Sequence, residues 1–158
     1  LTLYKSQIRP NLEYCSHIWG AASESTLSLL DSIQKRAIRL IDNPELTKDL
    51  PALSHRRAVG DLCLFYRYYN GDCSEEIASS FPPLAVHTRT TRSSSIAHPF
   101  TVELKTSRTL HNQRSFISRT SELWNSLPSD TFPRNFNLQI FKTRVNKHLL
   151  TLTSDRGA

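Results

Sequence analysis

Apolar positions recur every three or four residues over most of this chain and alternate in only one short stretch, a pattern that predicts a mainly α fold. Leu3, Ile8, Leu12, Cys15 and Trp19 fit one helical face interrupted at Pro10. Proline lacks the amide donor and crowds the preceding turn, so the prediction is a short helix, a restart at Pro10 and a stop at Gly20. Leu27, Leu30, Ile33, Ala37 and Ile41 then recur behind Ser23 to Ser25, whose hydroxyls and the intervening Glu24 suit a helix N-terminus. The other side of this helix carries Lys35, Arg36 and Arg39, and Asn43-Pro44 ends it. A third helix is predicted over 54–69, with Val59, Leu62, Phe65, Tyr66 and Tyr69 inward and Asn70-Gly71 as its stop. A short helix over 75–80 precedes Phe81-Pro82-Pro83.

The character changes over 84–112. The run from Thr88 to Ser95 is too polar to bury, and Phe100, Val102 and Leu104 alternate as a strand does, which predicts a long loop with at most a strand or hairpin. Helical spacing then returns. Phe116, Thr120, Leu123 and Leu127 form one face with Trp124 beside it, and Pro128 ends that segment. Asn137 is placed to cap a closing helix striped by Leu138, Phe141, Val145 and Leu149, with Lys142, Arg144 and Lys147 off the stripe. The predicted organisation is a helical bundle over 1–80, a basic linker over 81–112, a helical pair over 113–150 and a tail over 151–158.

Length, at 158 residues, accommodates one domain or two small ones. Lysine and arginine number 20 against 14 acids, giving +6 and a pI near 9.5, so a polyanion is the natural partner. The excess is not evenly spread: residues 1–80 hold nine basic and ten acidic side chains, residues 81–158 eleven and four. The second half is therefore the basic one. No run approaches the ~20 apolar residues that span a bilayer, so no membrane partner is expected. Three cysteines without a two-residue spacing argue against a disulfide framework or a cysteine-rich zinc site, and an intracellular, reducing setting is the expectation. The chain opens inside an apolar run and lacks methionine, as a piece of a longer chain would.

Candidate chemistry is sparse. Two-metal phosphoryl transfer needs carboxylates brought together, whereas no aspartate adjoins another, and Glu75-Glu76 reads as the first turn of a helix. The glycines are too far apart for a phosphate-cradling loop, the histidines show no metal spacing, and His98 before Pro99 reads as loop. His55-Arg56-Arg57 is harder to explain. Basic residues in a first helical turn oppose the macrodipole, so either a phosphate or carboxylate ligand, or an internal salt bridge to Asp49 or Asp61, must hold them there. Phe65-Tyr66-Arg67-Tyr68-Tyr69 invites base stacking, but helical geometry spreads those five around the cylinder and favours core packing, and Trp19 and Trp124 read as anchors between helices.

Several stretches taken in order resemble one family. Leu3-Tyr4-Lys5 through Ile8-Arg9-Pro10-Asn11-Leu12-Glu13-Tyr14-Cys15-Ser16-His17-Ile18-Trp19 is similar to the segment downstream of the polymerase core in reverse transcriptases of non-LTR retrotransposons, the jockey-like group. Leu30 to Ile41, with Gln34-Lys35-Arg36-Ala37, resembles the family's basic helix. His55-Arg56-Arg57 with Asp61-Leu62, Phe65-Tyr66 and Asn70-Gly71 resembles its next element, and Trp124-Asn125-Ser126-Leu127-Pro128 with Phe141-Lys142 resembles its ending. The resemblance implies a thumb-like, carboxy-terminal portion of an RNA-directed DNA polymerase. The fingers, the palm with its catalytic aspartates and magnesium, and the endonuclease domain would belong to the parent and not to these residues. RNA and DNA, as template and primer, are the implied partners. The expected phosphate contacts are Lys35, Arg36, Arg39, Arg56, Arg57, Arg89, Arg92, Arg114, Lys142, Arg144 and Lys147, with no catalytic or metal-binding residue. A non-enzymatic helical interaction module, or a retroelement relic without function, is the alternative.

Overall fold

A computed structural model describes residues 1–84, 98–104 and 108–155 of the chain. The fold is mainly α, with almost no strand. The chain enters through a π turn, Tyr4–Ile8, and the helix α1, Arg9–Glu13. Here the sequence expectation needs refining. Pro10 has no N–H and its ring crowds the turn behind it, and the backbone answers by widening, so that the Arg9 N–H reaches back to the Tyr4 carbonyl. A second break, absent from the sequence reading, falls at Tyr14-Cys15, where Cys15 adopts a left-handed φ of 53°. The indole N–H of Trp19 donates to the Tyr14 carbonyl at 2.7 Å, which satisfies the backbone acceptor that the break exposes. The short helix α2, Ser16–Trp19, follows and stops at Gly20.

α3, Glu24–Ile41, has the cap that the sequence indicates, Ser23 Oγ accepting from the Thr26 N–H. Of the expected inward stripe Leu27, Leu30, Ala37 and Ile41 are half-buried, Ile33 is 42% exposed, and the residue buried on this helix is Gln34. The Tyr4 hydroxyl donates to Gln34 Oε1 at 3.0 Å, and Gln34 Nε2 donates to the Pro51 carbonyl at 3.2 Å, so an amide joins the aliphatic row in fixing the helix to its neighbours. Asn43 ends this stretch by capping α4, Pro44–Thr47, through Oδ1 to the Leu46 N–H.

α5, Leu53–Tyr69, is the central element and buries Val59, Leu62, Phe65 and Tyr66 as their spacing predicts. It ends at Asn70-Gly71, where Gly71 takes a φ of +80° that favours a residue without Cβ. α6, Glu75–Ser80, coincides with the predicted short helix. α7, Leu110–Gln113, and α8, Phe116–Asn125, lead to a 3-10 turn, Ser129–Thr131, and the long α9, Leu138–Asp155. α9 is capped by Asn137 Oδ1 accepting from the Ile140 N–H at 2.9 Å. It runs beyond residue 150, so the expected tail begins as helix.

Segments that the sequence reading separates share one core. Val59, Leu62, Phe65 and Tyr66 of α5 pack with Trp124 of α8, with Leu127 and Phe132 after it, and with Phe141, Val145 and Leu149 of α9. Tyr66 stacks on Phe141 with ring centres 4.2 Å apart and planes 8° from parallel, and Phe65 lies 4.9 Å from Trp124. The aromatic run of α5 is thus core at Phe65 and Tyr66, while exposed Arg67 pairs with Asp72.

The alternating stretch provides a single antiparallel bridge, Leu84 to Val102, and no longer strand among the described residues. Val102 is buried because the Asn125 side chain stands in for a neighbouring strand on its other side. The Val102 N–H donates to Asn125 Oδ1 at 3.0 Å and Asn125 Nδ2 donates to the Val102 carbonyl at 2.8 Å. His98, read from sequence as loop, is buried. Its Nδ1 accepts from the Phe100 N–H at 3.2 Å and its Nε2–H donates to the Trp124 carbonyl at 3.0 Å, so the neutral ring is the form that fits.

Burial lowers the His98 pKa from its usual 6.5, the Trp124 carbonyl opposing that shift only in part. The unfolded chain therefore takes up this proton first as pH falls. The stabilising contribution is complete above pH ~6.5 and drains away on acidification below it. Urea midpoints for the wild type and His98→Gln at pH 7.5 and 5.5 should show a steeper decline in the wild type. Parallel declines would show that His98 is not the titrating group.

Candidate nucleic-acid interface

The basic side chains separate into those held by internal acids and those that face solvent. Arg56, in the first turns of α5, forms a paired contact with Glu13 of α1, its Nη2 donating to Oε2 at 2.9 Å and its Nε to Oε1. That carboxylate raises the Arg56 pKa further against the opposing effect of burial. Arg57 is 9% exposed, reaches Asp31 of α3 through Nη2 at 3.9 Å and lies 6.0 Å from the centre of the Trp19 ring. These two arginines are therefore part of the scaffold, a correction to their expected phosphate role. The salt-bridge reading of that run is the one the structure supports, with Glu13 and Asp31 as the acids in place of Asp49 or Asp61. His55 completes the turn by bonding Asn146 of α9 at 2.8 Å.

Asp61 has a different partner. Arg119 of α8 donates to Asp61 Oδ2 through Nε at 3.2 Å and Nη2 at 2.9 Å, and it also donates to the carbonyls of His17 at 3.1 Å and Arg114 at 2.9 Å. One guanidinium thus ties α2, α5 and α8 together. Gly20 leaves this place open, since a Cβ there would lie 2.5 Å from the Ser16 carbonyl and 2.9 Å from Arg119 Nη2. Burial raises the Asp61 carboxyl above the usual aspartate range, and Arg119 offsets only part of that cost.

Lys35, Arg36 and Arg39 are exposed on α3 and have no acid partner among the described residues. Arg114, Lys142 and Lys147 are likewise exposed. Arg144 is anchored by Nη1 to the Asp130 carbonyl at 2.8 Å, yet still lines, with Lys147 and His148, a cleft of about 430 Å³. Burial pushes the Cys63 thiol up to about 11, against the smaller opposing effect of the Lys142 charge. Arg89 and Arg92 lie outside the described residues.

The exposed cations do not make one track. His55 and Arg57 leave α5 about 200° apart, the former toward α9 and the latter toward α3. The patch of Lys35, Arg36 and Arg39 and the patch of Arg144 and Lys147 consequently occupy different flanks of α5. Sequence spacing alone does not reveal this division.

Among the described residues no three His, Cys, Asp or Glu side chains gather, and Asp31 and Asp61 face arginines. Cys15, Cys63 and Cys73 are free and half-buried. No helix of the described residues is long and apolar enough to cross a membrane. Compared with known proteins, the chain matches no family model, no curated protein and no solved structure.

Proposed function

We propose that this chain contributes backbone contacts to RNA and DNA as a thumb-like, non-catalytic portion of a non-LTR retrotransposon reverse transcriptase. The observation that carries the reading is the pair of exposed cationic patches, Lys35, Arg36 and Arg39 on α3 and Arg144 and Lys147 on α9, on a helical scaffold. Arg114 and Lys142 add to the exposed set. The ordered resemblance of the sequence supports the assignment to that family. Such cations grip phosphates without reading bases, so binding should depend steeply on salt and little on sequence.

The test is a titration of the chain with an RNA–DNA hybrid at rising salt. A negative log-log slope is expected, and the triple variant Lys35→Ala, Arg36→Ala, Arg39→Ala should reduce its magnitude by about 3. No binding at low salt, or a flat slope, removes the proposal. A helical interaction module is the second reading, favoured by Leu29 and Leu40 of α3, which are 64% and 78% exposed. Capture of a protein partner with no loss at high salt would select it.

A further inference from the structure

The cleft of about 430 Å³ between the 3-10 turn and α9 is lined by Asp130 and Thr131 on one side and by Arg144, Lys147, His148 and Thr151 on the other. The last four stand at i, i+3, i+4 and i+7, so they share one face of α9. Arg144 is fixed in place. Its Nη1 donates to the carbonyls of Asp130 at 2.8 Å and Phe132 at 3.4 Å, the two that bracket Thr131, while its Nε and Nη2 find no acceptor among the described residues. Thr131 is 3% exposed, yet its hydroxyl has no partner among the described residues and is not sealed from water. The Lys147 ammonium and the His148 ring also lack a partner among those residues.

The groups that line this cleft are mainly donors. A guanidinium whose orientation is already set, an ammonium, an imidazole and a hydroxyl meet one acid, Asp130, which forms no ion pair among the described residues. Because the carbonyls hold Arg144 beforehand, little of its side-chain freedom is left to lose on binding. Donors from four side chains exceed what the two free oxygens of a carboxylate or an internal phosphate can accept. A phosphate monoester has three such oxygens and carries about −1.5 to −2 at neutral pH, against a single charge on each internal phosphate. Two cations less one carboxylate leave the cleft positive, so its attraction grows with the charge of the group that enters. The volume is that of a small-ligand site and admits a phosphate together with the sugar that carries it.

We infer that this cleft receives the terminal phosphate of a nucleic-acid strand, held by Thr131, Arg144, Lys147 and His148. The inference rests on the nucleic-acid reading above and adds to it a preference for strand ends, which contacts to internal phosphates do not have.

Four probes test it: a short single strand with hydroxyls at both ends, the same strand with a 5′-phosphate, the same strand with a 3′-phosphate, and inorganic phosphate. Affinity for the full chain is measured at one salt concentration, and the amide resonances of Thr131 and Lys147 and the ring resonances of His148 are followed. At least one phosphorylated strand should bind about tenfold more tightly than the hydroxyl strand and move all three sets of resonances. Lys147→Gln, at an exposed side chain outside the core, should erase most of that preference. The triple variant Lys35→Ala, Arg36→Ala, Arg39→Ala should keep it, although it removes more charge. Equal affinity for the three strands overturns the inference, whether or not inorganic phosphate moves the same resonances. A preference that survives Lys147→Gln overturns it as well, and so does one lost equally in the α3 variant, the result for unspecific charge attraction. Salt-dependent binding of the RNA–DNA hybrid without an end preference sinks the cleft alone. An end preference with a flat salt slope for the hybrid sinks the backbone contacts and sustains the cleft.

Discussion

Trp124→Ala is expected to remove about 4 kcal/mol of stability, the middle of the range for truncation of a buried aromatic. Trp124 is completely buried, with Phe65 and Phe132 ring centres 4.9 and 4.8 Å away and Tyr69 at 5.2 Å. Its Nε1–H also donates to the Phe100 carbonyl at 2.8 Å, so truncation strands a backbone acceptor as well as opening a cavity. Domains of this size have about 5–15 kcal/mol in total, so the variant should unfold at a much lower urea concentration or purify without a cooperative transition. Trp19→Ala is the control. That ring is only half-buried, and its loss should cost distinctly less. Equal costs for the two would show that the core is not centred on Trp124.

The next largest effect belongs to Arg119→Ala. Removing one partner of a buried pair typically costs about 3–5 kcal/mol, because the remaining charge has neither water nor counterion. Asp61 would be left 10% exposed at its side chain, and the carbonyls of His17 and Arg114 would each lose a donor. The loss should depend on pH with a definite sign. Burial already holds the Asp61 carboxyl above 3.8, and without Arg119 it climbs further. Between the unfolded and folded values the native state binds the extra proton, so stability falls as pH rises through that window. Urea midpoints at pH 4 and pH 7 should show a larger deficit for Arg119→Ala at pH 7. Adding Asp61→Asn should restore part of that deficit. A deficit equal at both pH values would mean that an ionised Asp61 is not what the arginine stabilises.

The helices were readable from sequence where a single apolar face meets a single core. α5 and α9 are such cases, and Val59, Leu62, Phe141 and Val145 are buried as their spacing indicates. α3 was readable as a helix with its face at Leu27, Leu30, Ala37 and Ile41, but periodicity counts aliphatic side chains and does not register that Tyr4 and Pro51 hold the amide of Gln34. The break at Cys15 was invisible for a similar reason, since its support comes from an indole five residues from Tyr14 and not from a glycine.

The site was less readable than the fold. A run such as His55-Arg56-Arg57 looks alike whether its partners are phosphates or acids 43 and 26 residues distant in the chain. Arg119 could not be distinguished from its basic neighbours until α8 placed it against Asp61. Several residues of these stretches hold the structure: Gln34 seats α3, Asp61 anchors Arg119, and Trp124 fills the core. The exposed lysines and arginines beside them must be judged by where they point.

Asn125 has a consequence for the short extended stretch at Val102. Pro83 accepts the Glu103 N–H at 2.9 Å on one margin, and the Asn125 amide occupies Val102 on the other. Neither margin at Val102 offers a free backbone row on which a foreign β-strand could add, a common route to insoluble assemblies. One side-chain amide thus takes up the backbone groups of Val102 that would otherwise recruit a strand, where the described residues form a single bridge and no sheet.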